Sequence, residues 1–486
     1  LPDLGPYDRF RVDVPEYPGA LASSDYGSVL AEPPAAGVRY RVEEPPSVDL
    51  YTATEAMEAL AVAPWHADGA DGSGVRVAVF DVQWFNAEAL SEELGTTTTQ
   101  DCEAHRSCDP AMDTLRPRYT WEEGSHGVAC AEVIRDIAPG AELFLVRVNG
   151  LTTFENAVEW AIRNEIDVVS MSMSFFNNSF HDGTGALNEA ASRLAANGVL
   201  LVNSAGNYRY EHWTGVIDDL DRDGDLDFPW GSSYLPVYLG AGNASLQVSW
   251  DEFNNCGNTD LDTLVYDSDG DLVGGSSSVQ DGEADSCSPI ERPSAHAEDD
   301  DWYYLRLVRV HGGAPVRVGI FARGNTAYDS QPGSMADPSS SPSTFTVGAV
   351  RADGYAHNNA ESFSSRGPSR GGFDKPDIAG PDGLSTRTYG PTGFYGTSAS
   401  TPAVAAAVAV RMSAAPGLSP REAADELAAN TLGGQPTWEA WDGALGAGRA
   451  RLWDPHADNP CGAGGAAALA PLLWWGRFRR RDACWL

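Results

Sequence analysis

Three polar residues, far apart in the chain, have the types and settings that nucleophilic catalysis needs. Asp81 follows the apolar run 75–80 (VRVAVF), and His126 lies in Ser125-His126-Gly127-Val128-Ala129. Ser398 lies in Gly396-Thr397-Ser398-Ala399-Ser400-Thr401-Pro402, ahead of an alanine-rich stretch. A serine hydroxyl is a weak nucleophile, so it needs a base, and an imidazole base needs a carboxylate to orient it. Asp, then His, then Ser is one of the chain orders in which such a triad is found. A serine in the first turn of a helix has backbone N–H groups beside it and a dipole that favours a developing oxyanion. A fourth run, Asn203-Ser204-Ala205-Gly206-Asn207, follows an apolar strand and offers the Asn207 amide to the same oxyanion. Each run alone has a plainer reading: Asp81 as a turn residue, His126 as an ordinary polar side chain, Gly-Thr-Ser as a helix cap. Four such runs in one order on one pattern of elements favour the catalytic reading.

A second chemical signal is Asp219-x-Asp221-x-Asp223-Gly224-Asp225-x-Asp227. Carboxylates at alternating positions, with glycine at the sixth, are how a short loop wraps oxygen ligands around Ca2+. Trp230 stands at the twelfth position, where an EF-hand has a glutamate, and no flanking helices are evident. The run therefore predicts a Ca2+ loop of another type, the alternative being an acidic solvated turn. The shorter Asp267-Ser268-Asp269-Gly270-Asp271 separates two strand-like runs and reads as a hairpin turn. Of the seven cysteines, Cys102 and Cys108 bracket one short polar loop, and Cys256 and Cys287 bracket a Gly/Ser/Asp-rich one. Neither pair has a metal-ligand spacing, so both predict disulfides and an oxidising compartment.

The elements that must position these residues alternate in a regular way. Residues 75–80, 141–148, 166–170 and 199–203 read as strands, the first mostly apolar as in a sheet buried on both faces. Between them, Phe154, Ala157, Val158, Ala161 and Ile162 share one helical face, opened by a Thr152-x-x-Glu155 capping box. Leu187, Ala190, Ala191, Leu194 and Ala195 share another, closed by Gly198. Strand–helix–strand alternation predicts an α/β domain with a parallel sheet flanked by helices. Residues 208–335 differ: short β-rich runs (246–250, 261–266, 302–310, 316–321) are separated by Gly/Ser/Asp turns. They predict an inserted all-β, sandwich-like domain. Strands at 344–350 and 377–379, an alanine-rich helix over 398–415 and a Ser419-x-x-Glu422 capped helix follow. The resulting division is 1–63 as an extended segment or prosegment remnant, 64–207 and 336–456 as two parts of one α/β domain, 208–335 as the insertion, and 457–486 as a tail.

Composition narrows the function classes. The chain has 486 residues and a formal net charge of −37, from 32 Lys+Arg against 69 Asp+Glu. A field of that sign repels phosphate backbones, which argues against nucleic acid as a partner. No run of 18 or more apolar residues suggests a spanning helix.

The motifs resemble those of the subtilisin-like serine proteases, the subtilases, over roughly 63–207 and 345–453. Phe363-Ser364-Ser365-Arg366-Gly367-Pro368 and Lys375-Pro376-Asp377-Ile378-Ala379-Gly380-Pro381 resemble the family's flanking segments, and Asp167-Val168-Val169-Ser170-Met171-Ser172 its strand leading to the substrate cleft. The resemblance implies a serine endopeptidase acting on polypeptides: Asp81 orients His126, His126 is base and acid, Ser398 attacks, and Asn207 helps hold the oxyanion. It also implies substrate contacts along Ser170, Ser172 and Ser174, and a location that is secreted or on a bacterial cell surface. The chain departs from the family in having Val82-Gln83-Trp84 after the aspartate, Val128-Ala129-Cys130 after His-Gly, Ala403 in the serine motif, and Met173-Ser174-Phe175 without the glycine often seen there. A catalytically silent, calcium-dependent binding module is the competing expectation. An α/β-hydrolase esterase is disfavoured because Gly396-Thr397-Ser398-Ala399-Ser400 lacks the second glycine of G-x-S-x-G. At the C-terminus, Cys461, a short apolar stretch and an Arg477–Arg481 cluster resemble a bacterial sorting tag, which implies membrane or cell-surface attachment.

Overall fold

A computed structural model describes residues 28–29, 54–88, 90–102, 108–110, 124–176, 178–253, 257–280, 288–313, 315–322, 324–328, 332–433 and 442–456. The central sheet contains β1 (Arg76–Asp81), β2 (Thr97–Asp101), β3 (Glu142–Arg147), β4 (Val168–Met171), β5 (Leu200–Ser204), β6 (Phe345–Arg351) and β7 (Ile378–Asp382). Their order across the sheet is β7-β6-β5-β4-β1-β3-β2, every pairing parallel. The short strand Asp109–Pro110 closes the β2 edge in antiparallel pairing. Beside it, Cys102 is bonded to Cys108. Cys256, Cys287, Cys461 and Cys484 lie outside the described residues, as does the tail from 457.

Two layers of helices explain why these strands read as continuous apolar runs. Val77 and Val79 of β1 face α1 (His126–Ile137), α4 (Thr397–Ser413) and α5 (Pro420–Ala429) in one core. Ala78 and Phe80 face α2 (Leu151–Arg163) and α3 (Ala186–Ala196) in the other. Successive side chains of a strand point to opposite faces, so a strand covered on both faces needs apolar residues at every position. The capping at α5 is as expected, with Ser419 and Glu422 exchanging hydrogen bonds. At α2 the cap lies at Gly150, not Thr152. The Thr153 hydroxyl accepts the N–H groups of Asn149 and Gly150, at 2.8 and 2.9 Å, and Glu155 is not used.

The insertion lies between β5 and β6 and consists of strands alone among the described residues. A six-stranded antiparallel sheet (including Tyr234–Leu239, Asp260–Tyr266 and Asp301–His311) packs on a four-stranded one (including Gln247–Trp250, Val316–Phe321 and His212–Ile217). They share a core around Trp213, Trp250, Leu305 and Ile320. Asp267–Asp271 forms the expected hairpin turn, with the Asp267 carboxylate accepting the N–H groups of Asp269 and Asp271.

The segment before the sheet corrects an expectation. Residues 1–63 read as an extended segment or prosegment remnant, yet within the described part Ala56–Ala59 is a short helix, and Ala63–Ala67 is a second. Ala56, Leu60, Val62 and Trp65 are buried in the core that contains α1 and α4. Trp65 donates its indole N–H to the Trp453 carbonyl at 2.7 Å, and the two rings pack edge to face. Helices this short have little periodicity of their own and are fixed by what they dock against. Replacing Leu60 with alanine should lower the unfolding free energy by about 2–5 kcal/mol. A urea titration showing a loss below about 1 kcal/mol would mean that the segment is an appendage and not part of the core.

Candidate active site

Asp81 is the last residue of β1, His126 the first of α1, and Ser398 the second of α4. All three are nearly closed to solvent, at 1 %, 3 % and 7 % exposure. Asp81 Oδ1 accepts the backbone N–H groups of Val82 and Gln83 at 2.8 and 3.0 Å, and Oδ2 lies 2.7 Å from His126 Nδ1. The unusual run after the aspartate therefore holds its carboxylate, and Trp84 adds an indole bond to the Asp81 carbonyl at 3.0 Å. Gly127 is needed here, since a Cβ would stand 2.7 Å from Asp81 Cβ. The Phe394 ring meets the imidazole edge to face.

Ser398 is anchored beside that pair through its backbone. Its carbonyl accepts the Ser172 hydroxyl at 3.0 Å and the Cys130 thiol at 3.8 Å. Cys130 is one turn beyond His126, and ligand atoms of Asp81, His126 and Cys130 lie within 4.8 Å of one another. On the other side, Asn207 Oδ1 accepts both the N–H and the hydroxyl of Thr397 at 3.1 Å, and Thr397 Oγ1 accepts the Gly206 N–H at 3.1 Å. These bonds fix the amide plane and turn Nδ2 toward Gly396, where φ is +98° and a Cβ would stand 2.9 Å from that nitrogen. A side chain at position 396 would displace the Asn207 amide.

The three serines expected to meet substrate are all buried. Ser172 tethers Ser398, and Ser170 and Ser174 flank it in sequence with their side chains closed off, so any substrate contact falls to the backbone of this segment. Ser174–Phe175 is indeed a short strand, paired in parallel with Ser28–Val29.

Carboxylates that sequence reasoning missed hold the hairpin of Leu384–Thr386 and Gly390–Phe394, which leads into Gly396. Glu55 accepts the N–H and hydroxyl of Ser385 at 2.7 and 2.6 Å. Glu132 of α1 accepts the N–H groups of Arg387 and Thr388 and the Thr388 hydroxyl. Asp382, the last residue of β7, accepts the Gly396 N–H at 3.1 Å, and its other oxygen is buried without a partner. Next to it, Arg351 donates to the Tyr395 hydroxyl at 3.1 Å. Burial pushes Glu132 up to about 7 and Asp382, with Glu361 adding repulsion, up to about 8. An acid amid the apolar residues Val128–Ile134 of α1 was the one sequence signal for Glu132. Nothing local marked Glu55 or Asp382.

The aspartate run divides. Oxygens of Asp219, Asp221 and Asp223 lie within 4.8 Å of one another, and Asp219 Oδ1 is buried with no protein partner. An all-carboxylate set with an unsatisfied buried oxygen fits a hard cation such as Ca2+. Asp225 and Asp227 do not join that group, contrary to expectation. Asp225 is paired with Arg306, and Asp227 accepts the Leu220 N–H at 2.9 Å. Trp230 stacks between Phe228 and Tyr328.

A parallel sheet with helices on both faces, carrying a buried Asp–His pair and a helix-borne serine at its carboxyl edge, defines a subtilisin-like architecture. The chain belongs to the subtilase family, which its residues 72–244 and 248–464 match. It is 28 % identical over 149 residues to the thermostable alkaline protease of Halalkalibacterium halodurans, a stretch that covers 29 % of this chain and 38 % of that protein. The CspB protease of Clostridium perfringens has the same fold, with a TM-score of 0.55, 15 % identity, and coverage of 82 % of this chain and 97 % of that one. MycP1 from Mycobacterium smegmatis is matched at a TM-score of 0.43 and 15 % identity, over 88 % and 91 % of the two chains.

Asp382 yields a pH test. Its folded carboxyl keeps a proton up to about pH 8, whereas an unfolded aspartate loses it near pH 4. The folded state binds more protons between those values, so this group's contribution to stability falls as pH rises through the window. Asp382→Asn, which keeps an acceptor for Gly396, should flatten the dependence of melting temperature on pH between about 5 and 8. Equal slopes in variant and wild type would contradict the assignment.

Proposed function

We propose that this protein is a serine endopeptidase that cleaves polypeptides through an acyl-enzyme on Ser398. The observation that carries the reading is the buried 2.7 Å contact between Asp81 and His126, with the Ser398 backbone tied down next to it. Asp81 accepts the Nδ1 proton, which leaves Nε2 with its lone pair as the base. His126 takes the proton of Ser398 as the hydroxyl attacks the substrate carbonyl. The tetrahedral oxyanion is met by the N–H groups at the start of α4 and by the Asn207 amide, whose oxygen is already fixed by Thr397. His126 then delivers its proton to the leaving amine, and water repeats the cycle on the acyl-enzyme. The backbone around Ser172–Ser174 aligns the extended substrate.

The site of action that fits is outside the cytoplasm, either secreted or on a bacterial cell surface, because the Cys102–Cys108 bond is favoured in an oxidising compartment. Asp219, Asp221 and Asp223 would hold a structural Ca2+, which would neutralise their mutual repulsion and stiffen the margin of the insertion. An organophosphonate should label Ser398, and casein digestion should fall on the order of 10^4-fold or more in Ser398→Ala. Unlabelled, inactive wild type with native melting behaviour would instead favour a silent binding module. Chelation should lower the melting temperature of wild type but not of Asp221→Ala or Asp223→Ala. An unchanged wild-type curve with chelator removes the metal.

A further inference from the structure

We propose that the protein cleaves after small residues, because an aromatic wall built from Tyr208, Phe176 and Phe321 stops the space beside Ser398. The inference rests on the peptidase reading and concerns the residue whose carbonyl is attacked. β4 and β5 are neighbouring strands, and the segments that follow them flank the nucleophile. Ser172, after β4, binds the Ser398 carbonyl, whereas Gly206 and Asn207, after β5, bind Thr397. The Asn203 amide joins the two segments by donating to the Met171 and Met173 carbonyls at 2.6 and 3.0 Å. An acyl group on Ser398 with its oxygen toward Asn207 directs its side chain into the gap between them.

The Tyr208 ring stands on the Gly206 side of that gap. A Cβ on Gly206 would stand 2.4 Å from Tyr208 Cε2 and 2.5 Å from Cδ2, so the phenol ring lies directly on the Gly206 backbone. The Tyr208 backbone is fixed by its N–H bond to Ser365 Oγ at 3.0 Å. Phe176 and Phe321 meet the Tyr208 ring edge to face at centroid distances of 5.2 and 5.7 Å, and each other at 4.8 Å. Behind Phe321 the His212 ring and the Arg370 guanidinium pack at 4.8 and 5.1 Å, so the wall has nowhere to retreat. Close-packed side chains of this kind do not yield by a methylene without cost. Phe321 ends the last strand of the insertion, which gives the inserted domain a part in substrate choice.

The test measures kcat/KM of the full-length protein on peptides that differ only at the residue before the cleaved bond. Alanine or serine there should be favoured over leucine and phenylalanine by about tenfold or more. Tyr208→Leu and, separately, Phe321→Leu should raise the phenylalanine-to-alanine ratio about tenfold. The ratio does not depend on the fraction of variant that folds, so an unstable variant still reports. Wild-type preference for phenylalanine or leucine, or a ratio unmoved by both variants, overturns the proposal while leaving the peptidase reading intact. Failure of wild type to cut any of the peptides, with Ser398 unlabelled by phosphonate, overturns both.

Discussion

A buried carboxylate with both oxygens occupied is the constraint on which the site depends. Asp81 cannot rotate, because one oxygen is held by two backbone N–H groups and the other by His126. Burial makes each of these bonds expensive to break, since any polar atom left over would be unpaired in a poorly solvated place. The imidazole is thus set by β1, and the rest of the domain holds the Ser398 backbone at the same sheet edge. Three long-range ties do so: Ser172 to the Ser398 carbonyl, Asn207 to Thr397, and Asp382 to Gly396. They come from the ends of β4, β5 and β7, so the sheet edge itself fixes the first turn of α4. Ligand sites in open α/β sheets form at such carboxyl edges.

The hairpin before Gly396 extends the same logic. Its turns are gripped by Glu55 from the leading segment and by Glu132 from the histidine-bearing helix, and its Phe394 returns to contact His126. One short element therefore touches His126 and leads directly into the turn that carries Ser398. Buried acids are a costly way to hold it, and the raised proton affinities of Glu132 and Asp382 are the sign of that cost.

What could be read from the sequence followed from how local each signal was. Asp81, His126 and Ser398 sit in runs whose neighbours fix their place at a strand end or helix start, and apolar strands covered on both faces announce themselves. The roles of Glu55 and Asp382 depend on partners 330 and 14 residues away, which no spacing rule anticipates. The aspartate run was legible as a cluster but not in its membership, because Arg306, 81 residues on, captures Asp225. Ser172 was expected at the substrate. Its hydroxyl is instead spent on the Ser398 carbonyl, a choice settled only when α4 docks over β4.

The insertion separates two adjacent strands of the catalytic sheet, β5 and β6, in sequence. Its first strand, His212–Ile217, pairs with its last, Val316–Phe321, so that His212 lies opposite Phe321. The graft thus begins and ends at one point in space, and the host sheet sees little more than it would of a tight turn. Ancestors lacking the graft, or offspring with a different one, would need only a short splice there. Such an exchange would leave the Asp81–His126 pair untouched while rewriting the rim around it.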